Sequence, residues 1–500
     1  MEDIARRFTR SAGYAEQFWI AFNNIKAHKH LLINTTFNKP LPKELIITAT
    51  RNILLKHSYL ALRIVKDKDF DKRTKLEYIL TPCSKIRISD VLNFEYDANY
   101  KTEIDEQYLL KLDRNYDFFQ LYKKNKPFWK IEVLNDIHVS FICDHMLDGM
   151  SAVRFQIDLV NEVNKIKDTY TIGDLLENNS LFDFQKDYSL LAAIPKPIDE
   201  ILDVIPSKSF REKFLINKLK PLKKYDSVDD KEGKINCFNF NKIFNTTDYP
   251  TVFKIIKFNH QENLKILSLC KTHNVKMNSF IHAAFISAIS NYALDINEAP
   301  STGEFAFPIN LRAFMDEYKT DNDILYGCFV SLGFYGIERQ VLYNNMNPFS
   351  WNLVKVINKK RSENIKNYME SVYEGMGMRK YLDSETDALE RAINSRLGQL
   401  KTDSLRISNL GFNVVNNKNF GENNYKITNM LLSQNMGTLS TSLVLNIVST
   451  ENGMNILLGT IGGLFDKNVS KNQVKLDQVY ERFRYILLNG TDLSNKNTGF

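Results

Sequence analysis

Two periods of apolar residues alternate along the chain. Lys43 to Val65 (KELIITATRNILLKHSYLALRIV) has the spacing of an amphipathic helix running into a strand, with β-type residues in its tail LALRIV. In PFWKIEVLNDIHVSFIC the period shortens to two, Ile131 and Val133 alternating with Lys130 and Glu132. Asn135-Asp136 supplies a turn and a second strand ends at Cys143, so this segment predicts a hairpin. The helical period returns in SAVRFQIDLVNEVNKI, where Val153, Ile157, Val160 and Val163 follow helical spacing and Ser151 is placed to cap the N-terminus. Between hairpin and helix lies DHMLDG, a strand-to-helix turn from which a side chain can project off a rigid edge.

From Pro206 to Gly233 the composition changes to a basic run followed by an acidic one. Such a stretch suits a surface crossover between two parts, although a solvated charged helix would read the same. Beyond it, TVFKIIKF predicts a strand, and NHQENLKILSLCKTH and MNSFIHAAFISAISNYAL predict two helices. GEFAFPINLRAFM and LYGCFVSLGFYGI predict further strands, and Trp351 to about Gly398 predicts charged helices forming a cover. Near the end, LSTSLVLNIVSTENGMNILLGTIGG predicts a hairpin closed by Asn452-Gly453. Strands and helices mixed in two parts predict an α/β fold of α+β layers, divided as 1–205, a crossover at 206–245, and 246–500.

A chain of 500 residues supports two domains of ordinary size, and 43% hydrophobic with 25% charged residues is a soluble globular composition. The net charge of +7 suits an anionic ligand and falls short of a nucleic-acid footprint, so no nucleic acid is expected. Cys83, Cys143, Cys237, Cys270 and Cys328 are scattered and form no metal-ligand spacing, so no metal is expected and the thiols read as buried and intracellular. The N-terminal stretch lacks a signal-peptide core, and SFIHAAFISAISNYALDI carries His282, Ser287, Ser290 and Asn291, which suits a buried helix and not a membrane span. A cytoplasmic location follows as the expectation.

The chain has no GxxxxGK[ST], no HExxH and no GxGxxG after a strand, and GMSAV lacks the last glycine of a nucleophile elbow. What remains is FICDHMLDGMS, with His145, Asp148 and Gly149. A histidine titrating near neutral pH is a natural general base, an aspartate can lock a loop by pairing with an arginine, and glycine permits a sharp turn. On spacing alone His145 reads more readily as a loop residue that lies near carboxylates than as a base.

PFWKIEVL followed by a strand and then DHMLDGMS resembles the fungal alcohol O-acetyltransferase family, within the CoA-dependent acyltransferases that include plant BAHD enzymes and condensation domains. CKTHNVKMNSFIHAAFISAI, PINLRAF, YGCFVS and ISNLG follow in the family's order, and RRFTRSAGYAEQF and KHSYLALRI also fit, from about Arg6 to Leu488. The resemblance implies two chloramphenicol-acetyltransferase-like sheet-and-helix domains with a channel between them and the histidine at its midpoint. It implies an acetyl-CoA-dependent alcohol O-acetyltransferase in which His145 deprotonates the acceptor hydroxyl as that oxygen attacks the thioester. Acetyl-CoA would be a co-substrate, with no bound cofactor, and a small or hydrophobic alcohol the acceptor of a monomeric enzyme. Asp148 would be structural, paired with Arg312 or Arg63, and Ser408 or Asn409 of ISNLG would line the channel near the oxyanion. Family members on endoplasmic reticulum or lipid droplets also imply peripheral attachment here, for which VYERFRYILL (479–488) offers an apolar side.

The family's motif reads HxxxDG and this chain has HxxDG, one residue short. If the strand anchors the register, His145 keeps its place; if the DG and its helix do, Asp144 takes the histidine's position. A strand edge fixes the side chain that follows it while a loop absorbs a deletion, which favours His145. Two other readings stay open: an N-acetyltransferase of a hydrophobic sphingoid-like amine, and a non-catalytic acyl-CoA-binding relative.

Overall fold

The hairpin expected at residues 129–143 forms the centre of a five-stranded sheet. In order across the sheet run Ile427–Gln434, Leu31–Phe37, His138–Cys143, Trp129–Leu134 and Leu92–Glu95. The computed structural model describes residues 7–67, 77–169, 179–202, 208–209, 212, 251–293, 302–315, 326–368, 390, 403–434, 441–462, 464–465 and 469–492. The expected crossover, apart from three of its residues, Cys237, and most of the expected cover beyond 368 lie outside them.

Asn135 and Asp136 turn the hairpin with φ of 54° and 56°, the left-handed pair whose twist matches the flanking strands. Leu31–Phe37 and His138–Cys143 are buried along their whole length, so this sheet is covered on both faces. One cover consists of helices Lys43–Lys56 and Gly149–Ile166. Phe155 of the second helix stacks on Phe141 at 4.1 Å, and the buried Gln156 amide donates to the carbonyls of Ile33 (3.2 Å) and Val139 (3.1 Å). Hydrocarbon burial drives this packing, and the paired amide avoids the cost of a stranded polar group.

The second sheet has six strands, ordered Thr251–Asn259, Gly453–Ile461, Leu443–Thr450, Leu405–Asn409, Thr302–Asn310 and Val330–Glu338. Helices Met277–Ala293 and Val469–Asn489 pack together over its core. The strand expected in LYGCFVSLGFYGI starts later than its apolar run, at Val330, because residues 326–329 are drawn off to the first half. The apolar side of the terminal helix (Val479, Phe483, Ile486, Leu487) is buried in this core, so it is not free to lie on a membrane. No helix among the described residues is long and apolar enough to cross one.

The terminal hairpin corrects one expectation. Thr450 pairs with Gly453, so the loop residues are Glu451 and Asn452, and Gly453 opens the next strand. Its φ is +147°, and a Cβ there would lie 2.0 Å from the Phe258 carbonyl oxygen. The glycine answers to the close approach of a third strand, which a two-strand reading does not contain.

Strand Ile427–Gln434 lies late in the chain yet pairs antiparallel with Leu31–Phe37 of the first sheet. Ile427, Met430, Leu431 and Leu432 are part of the first core. The two halves are thereby interlocked by an exchanged strand. Its apolar pattern does not reveal which sheet it joins, since either would bury it equally well.

Candidate active site

Strand His138–Cys143 delivers the loop at the contact between the halves. The Asp144 amide extends the ladder by donating to the Phe128 carbonyl (2.9 Å), and the chain then turns, Leu147 N donating to Asp144 O (2.9 Å). His145 projects from this turn. Its imidazole stacks on Trp19, with centroids 4.5 Å apart and planes at 28°, while the His28 ring lies on it at 3.8 Å and 59°. Nε2 of His145 is buried and has no hydrogen-bond partner. Burial first, then the neighbouring His30 and Arg406, push the His145 pKa down to about 3, so the ring is neutral at pH 7. A neutral imidazole keeps one ring nitrogen as a hydrogen-bond acceptor, and its uncommitted buried nitrogen is open to a donor.

Asp144 is occupied differently. Its Oδ1 accepts from the Met146 amide (3.0 Å) and its Oδ2 from the Asn23 side chain (2.9 Å). Burial pushes its pKa up to about 7, against the pull of those two hydrogen bonds.

Asp148 caps helix Gly149–Ile166, accepting from Ser151 N at 2.9 Å. The expected cap, Ser151, is instead the third residue of the helix, and Asp148, directly before Gly149, takes the capping position. The Ser151 hydroxyl lies 3.0 Å from both Asp148 Oδ1 and the Gly327 carbonyl, and Gly327 N donates back to it at 3.1 Å. Arg312 closes on Asp148 as a fork, Nη1 to Oδ2 at 2.7 Å and Nη2 to Oδ1 at 3.1 Å, and Phe329 N adds a donor at 2.8 Å. Asp148 thus holds a helix of the first half to two segments of the second. Of its two candidate partners Arg312 is the one. Arg63 stands on strand Leu62–Lys66 opposite Thr81, and no ion pair or hydrogen bond joins it to Asp148, because that strand belongs to a separate sheet.

Gly149 does not adopt a left-handed conformation. It is small because a Cβ would come within 2.7 Å of the Leu410 side chain, from the other half. Ser408 and Asn409 diverge, as neighbours on a strand must. Ser408 faces the first half and accepts from the Gln434 amide at 3.2 Å. Asn409 turns the other way, bonding the Asn278 amide group and accepting from Gly411 N at 2.9 Å. The structure therefore unites His145, Asp148, Gly149 and Arg312 around one loop, leaves Arg63 apart, and separates Ser408 from Asn409.

Several residues of this site were not found by reading the sequence. Helix Tyr14–Asn24 supplies Trp19 to the histidine and Asn23 to Asp144. Its Glu16 takes the Tyr59 hydroxyl (2.7 Å), which also lies 3.3 Å from the Met146 carbonyl. Burial opposes the Glu16 charge, but the Arg10 fork holds its carboxyl below the usual range. From the second half, Arg406 carries a buried Nε without a partner, and Asn446, opposite Ser408 in register, has neither side-chain atom paired. The signal for these residues is only three-dimensional, apart from the single polar side chain, Asn446, inside the apolar run LVLNIV. Among the described residues no cluster of three or more His, Cys, Asp or Glu could hold a metal ion.

The sequence model of the alcohol acetyltransferase family matches residues 11–483. The chain belongs to that family, and so to the acyltransferase class of enzymes. Alcohol O-acetyltransferase 1 of Saccharomyces cerevisiae is 22% identical over 550 residues, covering 97% of this chain and 96% of the relative. Alcohol O-acetyltransferase 2 of the same yeast is 22% identical over 513 residues, covering 92% and 93%. Among solved structures, TRI3 trichothecene 15-O-acetyltransferase from Fusarium sporotrichioides superposes with a TM-score of 0.61 at 13% identity, over 96% of this chain and 95% of that one. The first condensation domain of the CDA synthetase gives 0.59 at 12%, over the same shares. At such identities these two structures speak for the fold, a two-lobed acyltransferase architecture that this family member shares.

Proposed function

We propose that this enzyme transfers the acetyl group of acetyl-CoA to the hydroxyl of a small or hydrophobic alcohol, with His145 as general base. The observation that carries the reading is the His145 imidazole itself, neutral, with Nε2 buried and without a partner. An unsatisfied buried nitrogen on a paired and capped loop costs stability, and a substrate hydroxyl is the group it lacks. Asp144 is the poorer candidate because both its oxygens already accept hydrogen bonds.

The acceptor hydroxyl would donate to Nε2, lose its proton to it, and attack the thioester carbonyl. The tetrahedral oxyanion collapses with cleavage of the C–S bond, and the departing thiolate takes from His145 the proton that came from the acceptor hydroxyl. Ser408, whose hydroxyl accepts from Gln434, keeps its own hydrogen free to donate to the oxyanion, with Arg406 as a second source of positive potential. Asp148 and Arg312 hold the loop and take no proton. On this reading the protein works as a monomer. Contact with endoplasmic reticulum or lipid droplets would need a surface other than the terminal helix.

Free-thiol release from acetyl-CoA, measured with isoamyl alcohol and then with a sphingoid amine, tests the assignment. Turnover with the alcohol and not the amine is expected. Turnover with the amine alone would make it an N-acetyltransferase, and no turnover with either would make it a binding relative.

A further inference from the structure

We propose that Trp19 is a positioning residue whose indole face stabilises the positive charge that His145 acquires during acetyl transfer. This rests on the reading of His145 as base and names the group that meets its charge.

A histidine base is commonly supported by a carboxylate that stabilises the imidazolium. Here both nearby carboxylates are engaged elsewhere. Asp148 is held by Arg312, Ser151 N and Phe329 N, and Asp144 by Asn23 and Met146 N. Two of the other groups acting on the ring, His30 and Arg406, oppose a positive charge. His28, on the connection after helix Tyr14–Asn24, touches the imidazole at 3.8 Å and has its own Nδ1 unpartnered. His30, next to strand Leu31–Phe37, and Arg406, on strand Leu405–Asn409, both disfavour the protonated form of His145. His30 itself lies 3.7 Å from Asp113, which draws that carboxylate's influence to His30.

The indole of Trp19 presents an attractive face to His145. It lies nearly parallel to the imidazole, 4.5 Å from it, within the range where a cation over an aromatic face is stabilised by the ring's negative quadrupole. Trp19 is kept in place by edge contacts with Phe18 at 5.5 Å, Phe22 at 5.9 Å and His28 at 5.8 Å. The site is buried, which strengthens an electrostatic contact that would be weak in water.

The timing of the charge gives the stacking its catalytic meaning. His145 is neutral before the acceptor's O–H bond breaks and neutral again once the thiolate has taken the proton. It is positive only between those transfers. An interaction made only in that interval raises kcat and leaves substrate binding alone.

The test places tryptophan analogues with one, two and three ring fluorines at position 19 of the full-length chain, by codon-specific incorporation. Fluorination weakens the quadrupole stepwise while keeping the ring's shape. Thiol release from acetyl-CoA with isoamyl alcohol is then followed, with His145→Ala beside the series. The expected result is an inactive His145→Ala and a stepwise fall in log kcat, amounting to roughly two- to tenfold at three fluorines, with KM for acetyl-CoA unchanged. An inactive His145→Ala with kcat flat across the series overturns the role of Trp19 and spares the base. An active His145→Ala overturns the base and this proposal together.

Discussion

Arg312 and Asp148, 164 residues apart in the chain, meet in a buried two-point ion pair at 2.7 and 3.1 Å. The carboxylate simultaneously caps the helix that follows the histidine loop and accepts from Phe329 N. One side chain therefore fixes the loop, the helix start and the contact between the halves.

Breaking that pair from one side should be costly. Asp148→Asn leaves a buried guanidinium without its counter-charge and is expected to lower stability by about 3–5 kcal/mol, read from urea unfolding. Arg312→Met in the same chain should recover part of the loss, because neither partner is then stranded as a charge. A double variant no more stable than Asp148→Asn would refute the pairing as the source of the effect.

Gly149→Ala should destabilise by no more than about 1 kcal/mol, since its Cβ would fall 2.7 Å from a terminal methyl of Leu410, a half-buried side chain that can rotate aside. Adding Leu410→Ala should relieve part of the clash. A double variant less stable than the sum of the two single changes would contradict the contact between Gly149 and Leu410.

Much of this arrangement was legible in the sequence, and the limits are physical. The hairpin 129–143 was readable because alternation and a two-residue turn are local signals, while His145 was singled out only by its place at the strand end together with the ordered family motifs around it. The choice between Arg312 and Arg63 was not readable, because both stand in or beside apolar runs and only the sheet assignment separates them. Asn452-Gly453 misled by one position because the glycine was selected by strand Thr251–Asn259, almost two hundred residues away. Trp19, Asn23 and Arg406 carry no local mark; ordinary helix and strand residues become site residues only when the elements assemble.

The buried titrating groups pull stability in opposite directions with pH. Asp144, raised to about 7 from an ordinary value near 4, contributes stability that is complete below roughly pH 4 and lost as pH rises through 7, at up to about 1.4 kcal/mol per pH unit. Asp144→Asn should therefore gain on wild type between pH 5 and 8 in unfolding titrations, as the free Asn23 carbonyl can turn to accept from the new amide. A constant difference across that range would contradict the raised carboxyl.

The histidines have the reverse sign. His28, His145 and His282 are all lowered, chiefly by burial, so their contribution is complete above about pH 6.5 and lost as pH falls below it. Replacing the catalytically remote His282 by Asn should flatten the acid limb of the stability curve, and an unchanged limb would show that it is not held neutral.

The most direct measurement of the central claim compares initial rates of thiol release for wild type, His145→Ala and Asp144→Asn at pH 7 with saturating acetyl-CoA and alcohol. With His145 as base, His145→Ala should lose about 10²–10⁴ in kcat. Asp144→Asn should stay within about tenfold of wild type, because its hydrogen bonds can be kept. The opposite ordering, with Asp144→Asn inactive and His145→Ala retaining its rate, would contradict the account and move the base to the residue on the other side of the shortened loop.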